Sequence, residues 1–168
     1  MPSEPIVIRL ATVDDIPFAR AMMQEALRAS PTFLAHLDME ALQQAEEQEW
    51  LKWREHPDPV FIAVDAAGRS VGAIRMRRHP SADGPGWQIG IAVEADARNQ
   101  GIGRRLIEQA ITHARATHAP YLYLLVDPIN APAIALYRRT GFVETGEQER
   151  VIEMRLSLER VMNSPHMP

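Results

Sequence analysis

The chain has 168 residues, 46% of them hydrophobic and 24% charged, which suits one globular domain with a substantial core. Its formal net charge of −4 gives no general attraction to nucleic acid or to an anionic membrane. The absence of cysteine excludes disulfides, thiolate metal sites and a cysteine nucleophile, and with no signal-peptide pattern and no apolar run of spanning length a cytoplasmic protein is expected.

Ile6 to Leu10 is a short apolar run that predicts a first strand. Thr12 and Asp15 stand at capping-box spacing before a helix through Ile16, Ala19, Met22, Met23, Ala26 and Leu27, which stops at Ser30-Pro31. Thr32 to Leu37 reads as a loop, and Asp38 as the cap of a second helix running to about Arg54 with Leu42, Ala45, Trp50 and Trp53 on one side. Its Glu46, Glu47 and Glu49 read as a solvated face rather than a metal site, with proximity to a cationic substrate left open. Val60–Val64 is a strand, Asp65 to Arg69 a hairpin turn, and Ser70 to Arg78 the returning strand. After a Pro/Gly-rich loop from His79 to Gly86, Trp87, Ile89, Ile91 and Val93 alternate with smaller or polar residues as a further strand.

That strand runs into Arg98-Asn99-Gln100-Gly101-Ile102-Gly103-Arg104, and Ile102, Leu106, Ala110 and Ala114 then repeat at helical spacing. A helix start leaves backbone N–H groups without partners, backed by the positive end of the dipole. Two glycines permit close approach, two arginines add charge, and the size suits a pyrophosphate. The same glycines would also serve a tight turn between solvated arginines. No lysine follows as a P-loop needs, and the third glycine of a dinucleotide fingerprint is missing.

The helix ends near Pro120. Tyr121 to Val126 is continuously apolar, as a strand buried on both faces would be, so strand, helix and strand make a parallel crossover. Asn130 caps the next helix, with Ile129 and Ile134 placed as a hydrophobic staple and Pro132 in the first turn. Thr140 ends it, with Gly141 and Phe142 folding back toward Tyr137. Phe142 to about Thr145 and Val151 to Leu158 are the last strands, and residues 159–168 read as a tail beyond a core of about 6–158.

Arg98-x-x-Gly101-x-Gly103 followed by Asn130-x-x-Ala133-x-x-x-Tyr137-x-x-x-Gly141-Phe142 resembles the two motifs of the GNAT superfamily of acetyl-CoA-dependent N-acetyltransferases, most strongly over residues 86–145. The resemblance implies an α/β (α+β) fold: a twisted, mostly antiparallel sheet of about seven strands with about four helices. Two central parallel strands, 87–93 and 121–126, would splay around the coenzyme. It implies that backbone groups of Ile91, Ala92 and Val93 bind the pantetheine arm. It also implies that Arg98, Asn99, Gln100, Gly101, Ile102, Gly103 and Arg104 hold the pyrophosphate, and that Asn130 touches the arm or orders its loop.

Transfer to an amine needs a neutral nucleophile, an oxyanion donor and a protonated leaving thiolate. The resemblance assigns the second to the Val93 N–H and the third to Tyr137. Gln88 stands at the position where many members carry a glutamate base, and Gln88 accepts no proton at neutral pH. A water path therefore replaces a single base; His79, Glu144 and Glu153 are unsupported candidates. A non-catalytic acyl-CoA-binding sensor is the competing reading. Acceptor choice is expected from Phe33, Leu34, Trp50, Trp53 and the Glu147 to Arg150 turn, with a small amine, an amino acid or a peptide N-terminus all allowed. No metal is expected, since His113 and His118 face differently on their helix, and a homodimer is left open.

Overall fold

The computed structural model describes residues 5–35, 38–55 and 57–159. Seven strands lie in one sheet in the order β1-β2-β3-β4-β5-β7-β6. They are β1 (Val7–Leu10), β2 (Val60–Val64), β3 (Ser70–His79), β4 (Gly86–Val93), β5 (Tyr121–Val126), β6 (Val143–Gln148) and β7 (Val151–Ser157). Every neighbouring pair is antiparallel except β4 and β5, which are parallel. The helices are α1 (Ile16–Arg28), α2 (Pro31–Leu34), α3 (Met39–Trp53), α4 (Ile102–Ala116) and α5 (Ala131–Arg139). None of the described helices is long and apolar enough to cross a membrane.

Strand periodicity divides the core between the two faces of the sheet. Ile74 and Met76 of β3, Trp87 and Ile89 of β4, and Leu122, Leu124 and Val126 of β5 pack against Ile102, Leu106, Ile107, Ala110 and Ala114 of α4. On the other face Val60, Ile62 and Ala73 pack against Ile16, Ala19 and Met22 of α1 and Trp50 and Trp53 of α3. That second face also carries the residues in register with Ala73: Arg75 and Arg77 on β3, and Gly90 and Gln88 opposite them on β4. Tyr137 of α5 belongs instead to the first of these two clusters, with Ile91 and Val93 packed against it.

Several expectations need correction. The segment after Ser30 is a helical turn, α2, where a loop was expected, so the α-helices among the described residues number five; Pro31 supplies a favourable first helical residue. The end of that expected loop, His36 and Leu37, lies outside the described residues, as does the expected tail from 160 to 168. β6 continues to Gln148, past Thr145, because Glu149 and Arg150 both take positive φ (46° and 70°) and close a two-residue turn onto Val151. Glu49 is only partly solvated: its side chain is 40% exposed and pairs with Arg75 at 2.8 Å and with Arg77 at 2.9 Å. Ala45 is exposed, so it does not share the buried side of α3 with Trp50 and Trp53.

The ends of the α-helices follow local chemistry. Asp38 accepts from the Glu40 and Ala41 amides, and Asn130 from the Ala133 amide. At the end of α5 the Phe142 amide bonds the Tyr137 carbonyl and the Gly141 amide bonds that of Arg138, with Gly141 at φ +104°. This Schellman closure holds Tyr137 and Phe142 with ring centroids 5.9 Å apart.

Candidate active site

β4 and β5 pair only through Trp87–Leu122 and Gln88–Tyr123, after which they part. The phase of the β3–β4 ladder decides what β4 offers to the resulting gap. The Glu94 amide bonds the Val71 carbonyl at 2.8 Å, so Glu94 and Val71 face each other as a hydrogen-bonded pair. Such pairs alternate along an antiparallel ladder. Ala92 and Gly90 therefore bond to β3, while Ile91 and Val93 turn their N–H and C=O groups away from it, toward the gap. The expectation that all three of Ile91, Ala92 and Val93 present backbone groups is corrected for Ala92, whose groups are used by the ladder. The Val93 carbonyl accepts from Arg98 Nε at 3.1 Å, which leaves the Val93 N–H as the open donor.

The loop that follows reverses twice: Asn99 has φ +61° and Gly101, the N-cap of α4, has φ +76°. The Arg105 amide is the first to find a helical acceptor, on Gly101. The amides of Ile102, Gly103 and Arg104 open the helix as unpaired donors among the described residues. The two glycines differ in purpose. A Cβ on Gly101 would meet nothing within 4 Å, so this residue is glycine for its left-handed backbone. A Cβ on Gly103 would come within 3.0 Å of Leu136 Cδ2, so this one leaves room for the Leu136 side chain of α5. Gln100 is exposed and its side chain takes no part in the cleft wall, whereas Arg98, Asn99, Gly101, Ile102, Gly103 and Arg104 line it.

The gap and loop open into one cleft of about 1170 Å³ that passes between the sheet, α5 and the α1–α3 segment. Asn130 and Tyr137 line it from α5. Asn130 does so while capping the helix at 3.3 Å, so capping and contact with a ligand are compatible. Ile129 stands 64% exposed at the cleft rim and does not act as a staple. Tyr137 is 8% exposed, and its hydroxyl has no hydrogen-bond partner among the described residues. Burial pushes its phenol pKa well above the ordinary value, so it stands neutral and holds its proton. Asp127, buried at the end of β5, accepts from the Thr32 amide at 2.9 Å and the Ile129 amide at 3.1 Å. Burial opposes its charge, yet the amides of Ile129 and Thr32 keep its pKa below the usual carboxylate value. Asp127 thus ties α2 to the turn before α5.

On the α1–α3 side, Phe33 lines the cleft as expected, but Leu34, Trp50, Trp53 and the Glu147 to Arg150 turn do not. Trp50 and Trp53 are core residues, 3% and 8% exposed. In their place the wall holds Met22, Met23, Leu42, Glu46, Arg75 and Arg77, with Gln88 at the base of the gap. Of the unsupported bases none reaches the wall. His79 Nδ1 lies 2.9 Å from the Tyr121 hydroxyl, which also bonds the His79 carbonyl, and Glu144 pairs loosely with Arg138.

The sequence profile of the acetyltransferase (GNAT) family matches residues 19–142, and the chain belongs to that family. A mycothiol acetyltransferase of Saccharomonospora viridis is 34% identical over 122 residues, 68% of this chain and 39% of its own length. The chain thus spans about two fifths of that relative. An L-methionine sulfoximine/L-methionine sulfone acetyltransferase of Pseudomonas aeruginosa is 27% identical over 86% of this chain and 84% of its own length. Among solved structures, a Salmonella typhimurium protein with its cofactor acetyl-CoA superposes with a TM-score of 0.69 at 18% identity, covering 92% of this chain and 95% of that one. The last comparison shows the shared fold.

Proposed function

We propose that this member of the family transfers an acetyl group from acetyl-CoA to a primary amine by direct attack within a ternary complex. The observation that carries the reading is the open edge of β4: Ile91 and Val93 face a gap that leads to the unpaired amides at the start of α4. An extended amide-bearing arm can bond Ile91 as an added strand would, while its pyrophosphate meets the amides of Ile102, Gly103 and Arg104 under the positive end of a 15-residue helix.

Two of the three chemical requirements then have a residue. The amine attacks the thioester carbonyl, and the Val93 N–H donates a hydrogen bond to the developing oxyanion. As the carbon–sulfur bond breaks, the Tyr137 hydroxyl gives its proton to the departing sulfur and regains one from solvent. The amine must lose a proton to react. Gln88 cannot take it, so water in the cleft carries it out past Gln88. The experiment is thermal unfolding with and without acetyl-CoA, followed by thiol release with amines. A ligand at 100 times its Kd stabilises by about 2.7 kcal/mol. A clear rise in Tm with turnover supports the reading. A rise without turnover on any amine favours a non-catalytic acyl-CoA-binding module, and no rise removes the coenzyme site.

A further inference from the structure

Resting on the acetyl-transfer reading, we propose that the acceptor carries a carboxylate as well as its amine, and that Arg75 and Arg77 anchor it. The two guanidiniums rise from β3 on the face opposite Gly90 and Gln88, and both line the cleft. Arg75 is 7% exposed and stacks on Trp50 with its guanidinium carbon 4.4 Å from the ring centroid. Only its Nη2 has a partner, Glu49, while Nε is buried with none and Nη1 has none among the described residues. Arg77 bonds the same Glu49 through Nη1 alone. One carboxylate thus serves two guanidiniums that together carry ten N–H donors.

Burying an arginine with unmade bonds is costly, and here burial together with the Arg77 charge lowers the Arg75 pKa from its ordinary value. A second carboxylate, brought by the acceptor, would complete the pair in the forked geometry that guanidinium favours. Nearby charge sets what else the acceptor carries. Glu46 lines the same wall without an ion pair to either arginine. Asp58, the other carboxyl near them, has its pKa raised by burial. A wall with two arginines and the carboxylates of Glu25 and Glu46, unpaired among the described residues, suits a zwitterion better than a plain amine or a polyamine.

Position supports a compact acceptor. Gly90 faces Arg75, and Val93 lies three residues further along β4, about 10 Å at ~3.3 Å per residue. The separation is of the order of one amino acid with its side chain and one guanidinium, so a compact acceptor bridges it. Met22, Met23, Phe33 and Leu42 complete the wall with apolar and adaptable surface for a side chain. The inferred class is an amino acid with an apolar side chain.

The test compares initial rates for L-methionine with those for its carboxamide and for the amine lacking the carboxyl group, at saturating acetyl-CoA. The acid should exceed both by on the order of 10² in kcat/KM, since a site built to bond a polar group discriminates strongly against its absence. In Arg77→Gln the acid-to-amide ratio should fall at least tenfold, chiefly through KM. Arg75→Lys, which keeps the charge but loses the fork, should lower it as well if the variant retains the wild-type Tm. Turnover of amide and acid at equal kcat/KM overturns the carboxylate anchor and leaves acetyl transfer standing. An unchanged ratio in Arg77→Gln also overturns it. Absence of turnover on every amine, with coenzyme bound, overturns the enzymatic reading together with this one.

Discussion

Arg98 reaches back from the loop before α4 and donates from Nε to the main-chain carbonyl of Val93 at 3.1 Å. The bond joins the two halves of the site. It fixes the last residue of β4, whose N–H is the proposed oxyanion donor, to the loop proposed to hold the pyrophosphate. Arg98→Gln should therefore weaken both functions. A charged hydrogen bond of about 1.5 kcal/mol corresponds to roughly a tenfold loss in acetyl-CoA affinity, with a further loss in kcat as Val93 loosens. Calorimetric titration and initial rates check this, and a variant with unchanged affinity and rate would reduce Arg98 to a surface residue.

The glycines of the same loop should separate in their effects. Gly101→Ala forces a left-handed residue with a Cβ, at about 1 kcal/mol, but meets no neighbour, so Tm should fall slightly. Gly103→Val should lower Tm more, because its side chain must displace Leu136. Thermal unfolding of the two variants without ligand decides the order. The reverse order would show that α4 and α5 yield easily at this contact.

Tyr137→Phe keeps the ring against Phe142 and removes a hydroxyl that has no partner among the described residues. Stability should stay within about 1 kcal/mol, while turnover falls by a factor on the order of 10² to 10⁴ with acetyl-CoA affinity nearly constant. Wild-type turnover in this variant would return Tyr137 to the core and leave the thiolate to solvent.

Acid should unpick one specific contact. Asp15 accepts from Arg9 at 2.7 and 2.9 Å and from the Thr12 amide at 2.7 Å. The Arg9 guanidinium in particular lowers its pKa from 3.8 to about 2. The folded state thus binds this proton less tightly than the unfolded chain. The stability from the pair is fully present above pH 3.8 and is lost as pH falls toward about 2. Since the Arg9 side chain is 42% exposed, the contribution is set at about 1 kcal/mol. Urea unfolding across that window should show a smaller acid-induced loss in Asp15→Asn than in the wild type; equal losses would contradict the assignment.

The parts of the fold legible in the sequence were those written in local chemistry. Alternation gave β4, helical spacing gave α4, and Asn130, Gly141 and Phe142 marked both ends of α5. What escaped depended on contacts across the sheet. Arg75 and Arg77 look like the polar residues of an alternating strand until α3 is laid over them, and Glu49 looks solvated for the same reason. Trp50 and Trp53 suggested a substrate wall because large aromatics suit both cores and pockets, and only packing against Val60, Ile62 and Ala73 tells the two apart. Which backbone groups of β4 are open depends on ladder phase, which no residue type encodes, so Ala92 could not be separated from Ile91 and Val93. Gly103 answers to Leu136, 33 positions away in sequence.

The central claim is acetyl transfer through this cleft, and it is tested most directly by following thiol release and acetylated product together. Purified protein is incubated with acetyl-CoA and a panel of amino acids and simple amines. The account predicts free coenzyme thiol formed in equal amount to an N-acetylated amine, with both suppressed by Tyr137→Phe. Thiol release at the no-protein rate across the panel, while acetyl-CoA still raises Tm, would contradict it.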